Sequence, residues 1–139
     1  MQKLKDLMSS NVQIIGPDDM IQAAAIQMSN GDFGMLPVAE NDRLIGTLSD
    51  RDIVIRAVAN CKDASAKVRE VMSEGVIWAY EDDTVEEGAK LMSEHKIRRL
   101  PILNAEKKLV GIVALGDFAV VSADAKAAGE ALSEISKAN

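Results

Sequence analysis

Apolar residues follow two rhythms along this chain, and each rhythm occurs twice. Ile21, Ala24, Ala25 and Met28 are spaced i, i+3, i+4 and i+7, and so are Val85, Gly88, Ala89 and Met92. That spacing collects one face of an α-helix and predicts a helix in each stretch. Asp19 stands three before Gln22, and Asp83 three before Glu86. This capping-box-like arrangement predicts where both helices start. A short apolar run precedes each helix, Val12 to Ile15 and Val76 to Ala79, and reads as a strand. The helices are expected to end near Asn30-Gly31 and Glu94-His95. Two further strands follow in each half: Met35 to Ala39 with Leu44 to Leu48, and Arg99 to Leu103 with Leu109 to Val113. Their links, Glu40-Asn41-Asp42-Arg43 and Asn104-Ala105-Glu106-Lys107-Lys108, are polar and short enough for hairpins. A last helix is expected from about Asp50 and again from about Gly116.

The order strand, helix, strand, strand, helix is therefore written twice. Met8, Val12, Asp18, Asp19, Met28, Leu36 and Pro37 recur 64 positions later as Met72, Val76, Asp82, Asp83, Met92, Leu100 and Pro101. After one inserted residue in the second hairpin link, Gly46 and Asp52 recur as Gly111 and Asp117. Two copies suit a closed pseudo-twofold pair rather than a solenoid. Pairing creates clefts, and clefts are where ligands bind. The expected fold class is mixed α/β (α+β): two β-α-β-β-α units packed about a pseudo-twofold axis. The expected boundaries are 1–60 for the first repeat, 61–66 for a polar connector and 67–122 for the second repeat. Residues 123–139 are expected to form a C-terminal helix, with Ala128, Leu132 and Ile135 on one side.

Composition narrows the class. With 139 residues there is room for one ordinary domain, and either repeat alone would have a marginal core. Aromatics are 3% against 47% hydrophobic residues, so the core must be aliphatic. The recurring methionines read as core fillers. No apolar run approaches the ~20 residues of a membrane span. The N-terminus lacks the apolar stretch of a signal peptide. Cys61 is alone, which excludes an internal disulfide and fits a reducing, cytoplasmic setting. The net charge of -6 argues against broad nucleic-acid or anionic-membrane binding. The sequence shows no base–nucleophile pair, no metal-ligand spacing and no Gly-rich phosphate loop, so no catalytic residue and no metal ligand is assigned and an enzyme is not expected.

Each copy also carries a hydrophobic-Pro-hydrophobic strand and a segment close to Gly-x-hydrophobic-Ser/Thr-x-x-Asp. In the first copy these are Met35-Leu36-Pro37-Val38 and Gly46-Thr47-Leu48-Ser49-Asp50-Arg51-Asp52. In the second they are Arg99-Leu100-Pro101-Ile102 and Gly111-Ile112-Val113-Ala114-Leu115-Gly116-Asp117. Together they resemble a tandem pair of cystathionine-beta-synthase (CBS) domains, a Bateman module, over about residues 3 to 121.

The resemblance implies two clefts for adenosine-containing ligands, commonly AMP, ADP or ATP, bound as effectors and not as required cofactors. S-adenosylmethionine and dinucleotides are also known in the family. It implies that Asp52 and Asp117 hold ribose hydroxyls and that Ser49 contacts ribose or phosphate. Ala114, with no hydroxyl, departs from the pattern. The resemblance places phosphate-facing charge three residues before the strand proline Pro101, at Arg98, with Arg99 beside it. The first copy has Gly34 there. It places adenine against the first strand of a repeat, giving Val76 and Ile77 for the Asp52 cleft and Val12 and Gln13 for the Asp117 cleft. A homodimer and an unidentified effector protein are the implied partners.

The chemistry of these residues agrees. A carboxylate accepts from two vicinal hydroxyls, and an Arg fork suits phosphate. Yet Ser49 to Asp52 is also a plain helix start, with Ser49 as cap. The retention of Asp117 where Ala114 cannot cap favours the binding role. The expected function is a stand-alone nucleotide-sensing module; the alternative is an assembly module with vestigial clefts.

Overall fold

A computed structural model describes residues 2–120. The helix expected over 123–139 lies outside the described residues. The chain divides into two compact units that do not follow the two sequence copies. One is Gln13–Val76; the other combines the residues up to Val12 with those from Ile77 onward.

The first of these units holds α1 (Ile21–Gly31), β1 (Met35–Glu40), β2 (Arg43–Ser49) and α2 (Asp50–Asp52). The last helix continues as a π turn over Ile53–Ala57 and a 3-10 turn over Val58–Asn60. The other unit holds β3 (Ala79–Tyr80), α3 (Val85–His95), β4 (Arg99–Leu103) and β5 (Leu109–Ala114). Its last helix is a 3-10 segment, Leu115–Val120, beginning one residue earlier than Gly116.

Both hairpins are antiparallel, with register shifts at the equivalent places, Val38/Ala39 and Ile102/Leu103. Asn41 and Asp42 both have positive φ, 54° and 66°, as a two-residue hairpin turn requires. The inserted residue changes the second turn. Asn104 Oδ1 accepts from the N–H groups of Glu106 and Lys108, and Lys107 alone turns left-handed, at φ 62°.

The expected strand at Val12 to Ile15 reduces to one parallel bridge between Ile15 and Val38, and the one at Val76 to Ala79 shortens to β3. The prolines account for both. Ile15 N–H donates to the Pro37 carbonyl and Ala39 N–H to the Ile15 carbonyl. The next bond along a parallel ladder would need a Pro37 N–H for the Gln13 carbonyl, and proline has none. Pro101 stands in the same relation to Ile77, because Ala79 pairs with Ile102.

The helix starts also differ from expectation. Asp19 and Asp83 lie one residue before the N-caps, which are Met20 and Thr84. Their carboxylates turn back to accept from Gly16 N–H and Tyr80 N–H. Thr84 Oγ1 caps α3 by accepting from Glu87 N–H at 3.1 Å. Met20 has no capping side chain, so the open N–H groups of Ile21 and Gln22 donate to the carbonyls of Ala66 and Ala64.

The segment that opens each copy packs in the unit of the other copy's hairpin. Ser73 pairs with Thr47 of β2, and Ser9 with Ile112 of β5. Val68, Val71 and Met72 join the core of Ile21, Ala24, Met28, Leu36, Val38 and Leu48. Leu4, fully buried, joins that of Val85, Ala89, Met92, Leu100, Ile102 and Val113. Burying one such leucine contributes about 1.5–3 kcal/mol. Met28, Met72 and Met92 are buried and Met8 is half-buried against the core that holds Leu4, in keeping with their role as fillers.

Ion pairs clasp both opening segments at equivalent points. Arg69 grips Asp18 with two bonds, Nε to Oδ1 at 2.7 Å and Nη2 to Oδ2 at 3.1 Å. Lys5 Nζ lies 3.1 Å from Asp82 Oδ1, and Lys3 Nζ 3.5 Å. The hydrogen bond from Arg69 holds the Asp18 carboxyl below its ordinary value of 3.8, and that from Lys5 does the same for Asp82. A carboxylate with a depressed folded pKa contributes stability above its unfolded pKa and loses it as pH falls through the folded value. The melting temperature should therefore fall as pH drops below the ordinary carboxylate range. The drop should be shallower in Arg69→Met and in 1 M salt, where exposed pairs are screened. Thermal melts from pH 6 to pH 2 check this; an unchanged slope in Arg69→Met would mean the clasp contributes nothing.

Candidate functional site

The end of β2 sets the geometry of the first motif. Ser49 is the last residue of the strand and the N-cap of α2. Its Oγ accepts from Asp52 N–H at 3.0 Å, while Asp52 Oδ2 accepts from Ser49 N–H at 3.0 Å. This is a reciprocal capping box. It fixes the Asp52 side chain, which is 14% exposed, and leaves Oδ1 outside the box. Oδ1 faces Ser73 Oγ at 3.4 Å and Arg56 Nε at 3.8 Å. Ser73 is itself fixed by two backbone bonds with Thr47, both 2.9 Å.

The second motif keeps half of this arrangement. Asp117 Oδ2 accepts from Ala114 N–H at 2.8 Å, and Ala114 has nothing to return. The retention of Asp117 beside an alanine thus has a local structural reason. The carboxylate satisfies the N–H three residues back whether or not a hydroxyl caps in exchange. Retention of Asp117 does not by itself point to binding. Ser9 takes the place of Ser73, exchanging bonds of 2.9 and 3.0 Å with Ile112.

Gly46 and Gly111 serve the approach of these segments. A Cβ on Gly46 would lie 2.7 Å from the Ser73 carbonyl oxygen and 3.0 Å from Met72 Sδ; one on Gly111 would run into Met8 Sδ. The motif glycine is the residue that lets the opening segment lie on the hairpin.

The remaining predicted residues divide between the units. Ser49, Asp52, Val76 and Gln13 belong to the unit Gln13–Val76; Val12, Ile77, Arg98, Arg99, Pro101 and Asp117 belong to the other. Val76 and Ile77, expected at one adenine site, fall on either side of the division, as do Val12 and Gln13. Arg98 is exposed, and its carbonyl accepts from Leu115 N–H at 2.8 Å, which places it at the start of the Asp117 turn. Gly34 has the same relation to Asp50, at 2.9 Å. The space a side chain would enter there is taken by the Asp50 carboxylate, 2.9 Å from a Cβ on Gly34. Arg99 is half-buried in β4, opposite Ala114. Pro101 is buried and acts through its missing N–H, leaving the Ile77 carbonyl outside the ladder.

Ser73 and Arg56 were not singled out from the sequence. Ser73 could have been, since it repeats as Ser9 at the common spacing, and Arg56 follows Asp52 by one helical turn. Among the described residues, no group of three or more His, Cys, Asp and Glu gathers to hold a metal.

Comparison with known proteins accounts for both motifs. The family model for the CBS domain matches residues 4–58 and 68–124. The CBS domain-containing protein YhcV of Bacillus subtilis is 42% identical over 139 residues, covering 100% of this chain and 99% of YhcV. The crystal structure of hypoxic response protein I with two coordinated zinc ions superposes with a TM-score of 0.78 at 35% identity, over 86% of this chain and 98% of that one. The structure of CBSX2 in complex with AMP gives a TM-score of 0.75 at 25% identity, over 84% and 93%. The two matched domains take up most of the chain.

Gly46→Ala should lower stability by about 1–3 kcal/mol, as overpacking against backbone does. Gly75→Ala, with nothing within 4 Å of its Cβ, should change it by about 0.5 kcal/mol or less. Urea unfolding of both variants decides it. Equal midpoints would mean that residues 72–73 do not rest on β2.

Proposed function

The chain belongs to the CBS-domain family, and from that premise we propose that it is a regulatory module that binds an adenosine-bearing ligand, with AMP, ADP or ATP the best candidates. The observation that carries the reading is the state of Asp52. One oxygen is spent on the capping box, which aims the side chain; the other meets only long contacts. A rigid carboxylate with an underused oxygen suits the vicinal hydroxyls of a ribose. The carbonyls that Pro37 and Pro101 leave outside their ladders, those of Gln13 and Ile77, are acceptors of the kind an adenine amino group satisfies. Arg98, exposed at the start of the Asp117 turn, offers charge for a phosphate there. AMP in the CBSX2 structure supports this ligand class.

A second reading, an assembly module that pairs into homodimers, draws on Val54, Ile55 and Val58. They are 59%, 44% and 65% exposed along the turns that follow α2. Contiguous apolar exposure of this kind marks contact surfaces. The two readings are compatible, since a sensor can report through its own pairing. A cytoplasmic setting with an effector protein completes the proposal. No described helix is long and apolar enough to cross a membrane, and Cys61 is a free, exposed thiol.

Asp52→Ala should weaken AMP binding about ten- to a hundredfold, equivalent to about 1.5–3 kcal/mol. Asp117→Ala should cost less, since Ala114 contributes no hydroxyl to that motif. Titration calorimetry with AMP, ADP and ATP, with folding confirmed by circular dichroism, measures both. Equal affinity in the wild type and Asp52→Ala would remove Asp52 from the site; absence of heat with every nucleotide would leave the assembly reading alone.

A further inference from the structure

The free side of Asp52 is not open. Ser73 Oγ and Arg56 Nε both address Oδ1, at 3.4 and 3.8 Å. Charge-assisted N–H···O bonds close to about 2.7–2.9 Å, so both contacts are loose. Each donor is held firmly elsewhere, and both anchors lie at one place. Arg56 Nη1 donates to the Met72 carbonyl at 3.0 Å. Ser73, the next residue, is pinned to Thr47. The stretch 72–73 is therefore tied to Asp52 twice, through a single oxygen. The helix connecting Asp52 to Arg56 widens into a π turn over Ile53–Ala57, and such turns recur at functional sites. At the position equivalent to Arg56 the second copy has Val121.

A ribose diol would compete for the same oxygen. We propose that Arg56 and Ser73 are positioning residues that convert occupancy of Asp52 into loss of the side-chain tie between the motif and residues 72–73, whose backbone stays on β2. This deepens the nucleotide-binding reading above and rests on it. The ligand takes Oδ1, the two loose contacts break, and the segment loses its tie to the motif. That segment runs straight into the next unit at Val76/Ile77. Trp78, the single tryptophan of the chain, lies just beyond, edge-on to Tyr80 at 4.8 Å between ring centres. Ligand and internal contacts are then reciprocal competitors. Whatever the ties hold back in the free protein, their removal gives to the ligand.

The test uses the full chain, titrated with AMP by calorimetry and by Trp78 emission, as wild type, Arg56→Gln and Ser73→Ala. Wild type should bind AMP with a shift in emission. Arg56→Gln should bind AMP about two- to fivefold more tightly, the scale of an exposed ion pair. Its ligand-free emission should already lie near the AMP-saturated emission of wild type, and AMP should move it by less than about a third of the wild-type shift. Ser73→Ala should show the same pattern at smaller amplitude, and it carries the test if Arg56→Gln does not fold. Variants with wild-type affinity and a full emission shift would overturn the relay while leaving nucleotide binding intact. Weaker AMP binding in Arg56→Gln would also overturn it, assigning Arg56 to the phosphate. No heat from wild type with AMP, ADP or ATP would remove the binding reading and the relay together.

Discussion

The fold depends on a close approach at each motif glycine, to the Ser73 backbone at Gly46 and to the Met8 side chain at Gly111. Residues 72–73 lie on β2 at Gly46, and residues 8–9 lie on β5 at Gly111. In each unit that contact supplies an outer neighbour to a hairpin strand that would otherwise present an unpaired edge. It also brings Val68, Val71 and Met72 into one core and Leu4 into the other. The ion-pair clasps at Asp18 and Asp82 then hold the same segments at their other ends. A two-stranded hairpin with one helix would bury too little to stand alone; the borrowed segment makes each unit a core.

The same approach prepares the candidate site. By fixing Ser73 beside Thr47, it brings a hydroxyl to within reach of Asp52 Oδ1. The capping box meanwhile fixes the other oxygen. One carboxylate thus does two jobs with two atoms: Oδ2 ends the strand and starts the helix, and Oδ1 is left for other partners. The capping and binding readings of Ser49-Asp50-Arg51-Asp52 are therefore not rivals. A carboxylate offers about four acceptor positions, and the box uses one.

Much of this was legible in the pattern of residues. The hairpins and both long helices declare themselves by period, and Asn41-Asp42 by turn chemistry. Three features were not legible, each for a physical reason. A spacing of 64 residues is the same whether the opening segment packs on its own copy or on the other, so the exchange leaves no trace in the repeat. The helix starts were misplaced because Asp19 and Asp83 suit a cap as well as a turn before one; only coordinates show their carboxylates reaching back to Gly16 and Tyr80. The strands at Val12 and Val76 were overextended because apolar character predicts burial, while ladder bonds require N–H groups that Pro37 and Pro101 lack.

The asymmetry between the copies has the most consequence for function. The first has the hydroxyl of Ser49, the guanidinium of Arg56 and, where the second has Arg98, Gly34 with the Asp50 carboxylate beside it. The second has Ala114, Arg98 and a 3-10 start in place of a capped α-turn. Identical copies would bind identically and could only count occupancy. Copies that share a carboxylate but differ in the charge around it discriminate, because specificity is a difference of affinities set by local groups. Under the proposed reading, the first motif would hold a ribose and the second would attract a phosphate. A chain with net charge -6 repels an anionic ligand at long range, so local positive charge would decide where a proposed nucleotide settles.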